Sequence, residues 1–176
     1  MSAELEPIQE GPGATLRRQE FLAGIAAHLR VGLPEELANF QVKLMPQLVK
    51  IYYDNERVHY EVWTSTSRHL TEIGLHFEDG PISTAAYLAY FDRFIVELKH
   101  ELGPTIELER WTTSWGHLYE VVELGKLTDF QTERTAKRLA RLIGVLQPLV
   151  DAAAVPPERL TSPQEHRGPW RHFRRR

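Results

Sequence analysis

The chain contains no cysteine among its 176 residues. That excludes disulfides, thiolate nucleophiles and every zinc or iron-sulfur site built on cysteine, and it permits a reducing compartment. Long apolar runs are also missing: no stretch reaches the roughly 18 residues that a membrane-spanning helix needs. The opening "MSAELEPIQEGPGATLRRQEFLAG" places Glu4, Glu6 and Glu10 where a secretion signal would carry a basic start and an apolar core. The expectation is a cytoplasmic protein with no membrane contact. Nor is there a glycine-rich phosphate loop, a His-Glu-x-x-His pair or a calcium loop, so no cofactor is expected.

What is present fits one ordinary domain. A content of 42% hydrophobic and 26% charged residues belongs to a globular chain, and a chain of this length buries roughly 70% of its unfolded surface. The net charge of −3 is unevenly spread. Residues 158–176, "ERLTSPQEHRGPWRHFRRR", carry six arginines against Glu158 and Glu165, a formal +4, which leaves −7 on the other 157 residues.

Residues 1–14, with Pro7, Gly11, Pro12 and Gly13, read as a flexible leader. A helix capped near Thr15 follows, with Phe21, Leu22, Ile25, Ala26 and Leu29 at helical spacing and Gly32 and Pro34 as its stop. Residues 33–47 show no pattern. From Leu48 the period drops to two, and "LVKIYY", "RVHYEVWT" and "HLTEIGLHFE" read as an antiparallel three-stranded meander. Ser83 is the expected cap of one helix running to about Leu102, with Tyr87, Phe91, Phe94, Ile95, Leu98 and Leu102 as its apolar face and Gly103 and Pro104 as its end. "TIELERW" and "HLYEVVEL" make a second hairpin. Thr128 and Gln131 have capping-box spacing for a last helix with Phe130, Leu139, Leu142, Ile143, Leu146 and Leu149 inward, and Pro148 in its final turn. Gly144 inside it implies a close packing or a weak point.

The order α-βββ-α-ββ-α predicts an α+β domain over residues 15–152, with an antiparallel sheet of about five strands and helices mainly on one face. Residues 153–176 read as a mobile tail rich in proline and arginine.

Alternation places His59, Glu61 and Trp63 on one face of the first hairpin, and Glu72, Gly74, His76 and Glu78 on the same face of the return strand. If Thr64 pairs with His69, Glu61 lies opposite Glu72, His59 opposite Gly74 and Arg57 opposite His76. Facing carboxylates repel unless a proton, cation or metal separates them, and Gly74 would leave room for a bound group. His59, Glu61, Glu72 and His76 are therefore the candidate metal ligands, with Glu78 or water completing the shell. The reading that requires least is an ordinary solvated sheet face, because strand period alone spaces such residues.

Trp111 follows Glu107 and Glu109 in parity and so joins Trp63 on the polar face. Together with His59, Glu61, Glu72 and His76 they form a candidate binding surface. His117 reads as a free edge residue, His69 as a hydrogen-bonded boundary residue, and no histidine has a serine or aspartate partner at motif spacing. In the tail, Arg167, Arg171, Arg174, Arg175 and Arg176 surround Trp170 and Phe173, a composition suited to phosphates and stacked bases. The first functional reading is a non-catalytic binding or accessory domain that engages a protein partner through the sheet surface and the basic arm. One alternative is a metal-dependent hydrolase or nuclease-like enzyme using Glu61 and Glu72. The other is a nucleic-acid-associated protein binding through the tail.

Overall fold

The computed structural model describes residues 13–158. Helix α1 (Arg18–Gly32) buries the five apolar residues that its periodicity selects. Its cap is Arg17 rather than Thr15: the Glu20 carboxylate turns back to accept from the Arg17 backbone N–H at 2.8 Å. Ahead of the helix, the Leu16 N–H donates to the Leu127 carbonyl at 2.7 Å, tying this end to the segment before the last helix.

The patternless stretch holds a short helix, α2 (Glu35–Ala38), and an edge strand, β1 (Gln41–Leu44). All four β1 residues are exposed. A strand with both faces wet has no hydrophobic alternation, which is why the expected five strands become six. Next come β2 (Leu48–Tyr52), β3 (Val58–Ser65) and β4 (Leu70–Phe77). Helices α3 (Pro81–Asp92) and α4 (Ile95–Leu102) occupy the span expected of one helix. The break falls at Arg93 and Phe94, whose N–H groups bond three residues back instead of four, and no glycine or proline marks it.

Strands β5 (Glu107–Arg110) and β6 (Gly116–Glu123) complete a wholly antiparallel sheet in the order β1-β2-β3-β4-β6-β5. The last helix, α5 (Asp129–Ala153), starts as expected, with the Gln131 N–H donating to Thr128 Oγ1 at 3.3 Å. It continues past Pro148 to Ala153. Phe130 is only half-buried, and Gly144 faces open space rather than a neighbour. The close helix contact sits instead at Gly24 of α1, where an added Cβ would lie 2.8 Å from Thr132 Cγ2 of α5.

One apolar core joins the helices to a single sheet face: Val49, Ile51, Tyr60, Val62, Ile73, Leu75, Phe77 and Leu118 pack with residues of α1, α3, α4 and α5. This is an α+β fold with an open antiparallel sheet. Among the described residues no helix is long and apolar enough to cross a membrane. The segment after α5 packs back on the domain as far as residue 158. Val155 packs on the core, and the Glu158 carboxylate accepts from the Ile82 and Ser83 N–H groups at 2.9 and 3.0 Å, at the start of α3.

Candidate functional site

The β3–β4 register differs from the expected one by two residues: Thr64 pairs with Thr71, and Ser65 with Leu70. The turn covers residues 66–69 rather than the 65–68 that the expected pairing encloses, one residue further along, and in it His69 takes a left-handed φ of 54° and is exposed. A slip of two keeps every side chain on its face but changes every partner. Glu61 therefore faces Gly74 rather than Glu72, Glu72 faces Trp63, and His59 faces His76. The expected carboxylate–carboxylate repulsion does not arise.

Strand pairing arranges the face away from the helices in rows. One row runs His59, His76, His117 and Glu109 across β3, β4, β6 and β5; the next runs Lys50, Glu61, Gly74, Tyr119 and Glu107 from β2 to β5. His59 stacks on His76 with ring centres 5.4 Å apart, and His76 meets His117 at 5.2 Å. On the far side, Tyr119 stacks on His117 at 3.8 Å and Trp111 closes against it at 4.0 Å.

The centre of this face is not solvated, although Glu107 and Glu109 at its β5 edge are exposed. His59 and His117 have no exposed surface, His76 has 2%, Glu61 3% and Glu72 8%. Nor do these residues form an open docking surface: only Trp63 and Trp111 of the six keep intermediate exposure. The room expected above Gly74 is partly filled, because Tyr119 Cβ and the Leu118 carbonyl would each lie 2.7 Å from a Cβ placed there.

Two groups of donor atoms converge, each with its members within 4.8 Å of one another: His59, Glu61, His76 and Glu78, and Glu72, His76 and His117. In the second group Glu72 Oε1 lies 3.2 Å from His117 Nδ1 and 3.5 Å from His76 Nε2. In the first, His59 Nε2 is 3.4 Å from Glu61 Oε2, while Lys50 Nζ lies 3.0 Å from Glu78 Oε2 and 3.9 Å from Glu61 Oε2. Sequence reasoning found four of these seven residues and named Glu78 as an auxiliary ligand. It missed Lys50 and His117, which reach the cluster only through the β2–β3 and β4–β6 pairings.

The three imidazoles are pushed in different directions. Burial pushes His59 and His117 below the ordinary histidine range, more strongly than Glu61 and Glu72 respectively can raise them. Burial also opposes a charge on His76, but Glu61 and then Glu72 outweigh it and hold His76 above its ordinary value. Both carboxylates stay ionised against the desolvation that would protonate them. Glu72 is drawn down to about 2 by His117 and His76, and Glu61 is lowered mainly by His76, His59 and Lys50. Of the three rings, His76 is thus the one whose surroundings favour its protonated form, between Glu61 and Glu72.

Some polar capacity remains unused. His59 Nδ1, His76 Nε2 and His117 Nε2 are buried without a hydrogen bond, and a buried unsatisfied polar group costs about 1–3 kcal/mol. The basic tail residues Arg159, Arg167, Trp170, Arg171, Arg174, Arg175 and Arg176 lie outside the described residues, as do residues 1–12 of the expected leader. Comparisons with protein-family models, curated proteins and solved structures found no match to this chain.

Proposed function

We propose that this protein is a binding domain whose polar sheet face holds a divalent transition-metal ion through Glu72, His76 and His117. One observation carries this reading: the donor atoms of these buried residues all lie within 4.8 Å of one another, with Glu72 Oε1 at 3.2 and 3.5 Å from the two imidazole nitrogens. Tetrahedral bonds of about 2.0–2.1 Å place neighbouring donors roughly 3.3–3.4 Å apart, which the two Glu72–imidazole separations already match. Two imidazoles and a carboxylate suit zinc, copper, nickel or iron, whereas calcium and magnesium prefer oxygen alone. An ion there would replace the proton on His76 as the cation facing Glu72.

Binding is favoured over catalysis because the neighbouring carboxylate, Glu61, is already engaged by His59, His76 and Lys50 rather than free to act as a base. The protein-partner reading moves to the β1 edge, where Val42, Leu44 and the adjoining Met45 are exposed and an extended partner segment can add a strand.

The test of the metal reading is titration of chelator-stripped full-length protein with Zn²⁺, followed by calorimetry and thermal unfolding. At 100 times Kd a single bound ion should stabilise the fold by about 2.7 kcal/mol, a Tm rise of roughly 5–11 °C for a chain of this size. His117→Gln and Glu72→Gln should each remove most of that rise. Heat-silent titration with an unmoved Tm would overturn the proposal.

A further inference from the structure

The group His59, Glu61, His76 and Glu78 is also a set of two imidazoles and two carboxylates with converging donors. It differs from the Glu72 group in having a second carboxylate and in already holding the lysine cation. Lys50 stands across the β2–β3 ladder from Glu61, and its ammonium reaches between Glu61 and Glu78 at 3.9 and 3.0 Å. Its side chain is only 13% exposed. The partners of Glu72, by contrast, are imidazoles. His59 Nδ1, fully buried, has no hydrogen bond, so this half of the cluster keeps an unused donor position as well.

We propose that these four residues form a second, latent metal position, that Lys50 occupies it as an internal counter-cation, and that Lys50 thereby selects which of two overlapping positions takes the ion. The physical reason is mutual exclusion. A divalent ion entering beside a largely buried ammonium meets repulsion from a cation that stays in place, while in the Glu72 group it meets an anion, His117, and a His76 proton that the ion displaces. Because both groups use His76, and a neutral imidazole has one nitrogen lone pair to give, the ring can ligate an ion in only one of them. Lys50 settles the choice by neutralising Glu61 and Glu78. Replacing the ammonium with a neutral chain of similar length should expose a complete four-ligand site with two anionic donors, and the ion should move along the sheet from His117 toward His59.

This inference rests on the metal reading above, and the experiment separates the two. Metal-free wild-type protein and Lys50→Met are titrated with Co²⁺ in full-length form, with ¹⁵N-labelled histidine observed by NMR alongside Co²⁺ absorption. In wild type the paramagnetic shifts should centre on His76 and His117, and His59→Gln should change the affinity little. In Lys50→Met they should centre on His59 and His76, the affinity should rise about tenfold or more, and His59→Gln should then cost about 10–100-fold. Lys50→Gln serves if the methionine variant does not fold. Binding at His117 in both proteins would overturn the inference and leave the proposed function standing. Binding only in the Lys50 variant, centred on His59, would uphold the latent position but overturn both the selection between two positions and the proposed function. Binding in neither overturns both.

Discussion

Glu72 and His76 lie four residues apart on one strand, a span of roughly 13 Å between their Cα positions, yet Glu72 Oε1 and His76 Nε2 come within 3.5 Å. The residue midway between them on the same face is Gly74. With no side chain there, the two long side chains lean toward each other, while Tyr119 of β6 closes in from the side. A glycine in a strand interior ordinarily weakens it. Here it lets an anion and an imidazole from one strand join a second imidazole, His117, from the next.

Gly74 and Gly144 should respond oppositely to alanine. At Gly74 the added Cβ would lie 2.7 Å from the Leu118 carbonyl oxygen, a backbone atom that cannot move without shifting β6, so Gly74→Ala should destabilise the protein by about 1–3 kcal/mol. At Gly144 nothing lies within 4 Å of the new carbon, and removing a helix-interior glycine should stabilise by about 1 kcal/mol. Urea unfolding of the two variants measures both signs, and a stabilised Gly74→Ala would show that the strand spacing is not as described.

The metal-free protein should lose stability in acid through Glu72. Its carboxyl is drawn down to about 2 in the fold, against about 4.3 in an unfolded chain. A depressed carboxyl contributes stability above its unfolded value and loses it as the pH falls toward the folded one. Denaturation between about pH 4.5 and 2 should therefore be shallower in Glu72→Gln than in wild type. His76 has the reverse sign: raised in the fold, it contributes below the ordinary histidine value and loses that contribution as the pH climbs through its folded one. In an NMR titration His76 should be the last of the three clustered histidines to release its proton, and Glu61→Gln should make it release earlier. Simultaneous titration of all three would contradict the assigned charges.

Glu158 should contribute to the stability of α3. Its carboxylate takes the place of a cap side chain that Gly80 lacks, and its own N–H donates to Asp79 Oδ2 at 2.9 Å. Loss of a helix cap typically costs about 0.5–2 kcal/mol, so Glu158→Ala should lower stability by that amount and speed hydrogen exchange at Ile82 and Ser83. Unchanged exchange at those two amides would mean the contact does not hold in solution.

The local chemistry of the chain determined the α+β class, the inward faces of α1 and α5, and the division of β3 and β4 into an apolar and a polar side. All of these follow from residue period, and a two-residue slip in pairing leaves period untouched. The same chemistry placed His59, Glu61, Glu72 and His76 on one face. It was silent wherever the deciding partner is distant in sequence. Nothing near Thr64 specifies a turn over residues 66–69 rather than 65–68. Nothing near His117 announces that β6 lies beside β4, and Lys50 reads as an ordinary alternating lysine until Glu61 stands across from it. Most of all, burial of the polar face was illegible, because a charged strand face carries the same pattern whether it meets water or neighbouring side chains. Only the assembled sheet, with Tyr119 and Trp111 closing over His117 and Gly74 leaving a gap between Glu72 and His76, turned a spaced set of polar residues into a cluster.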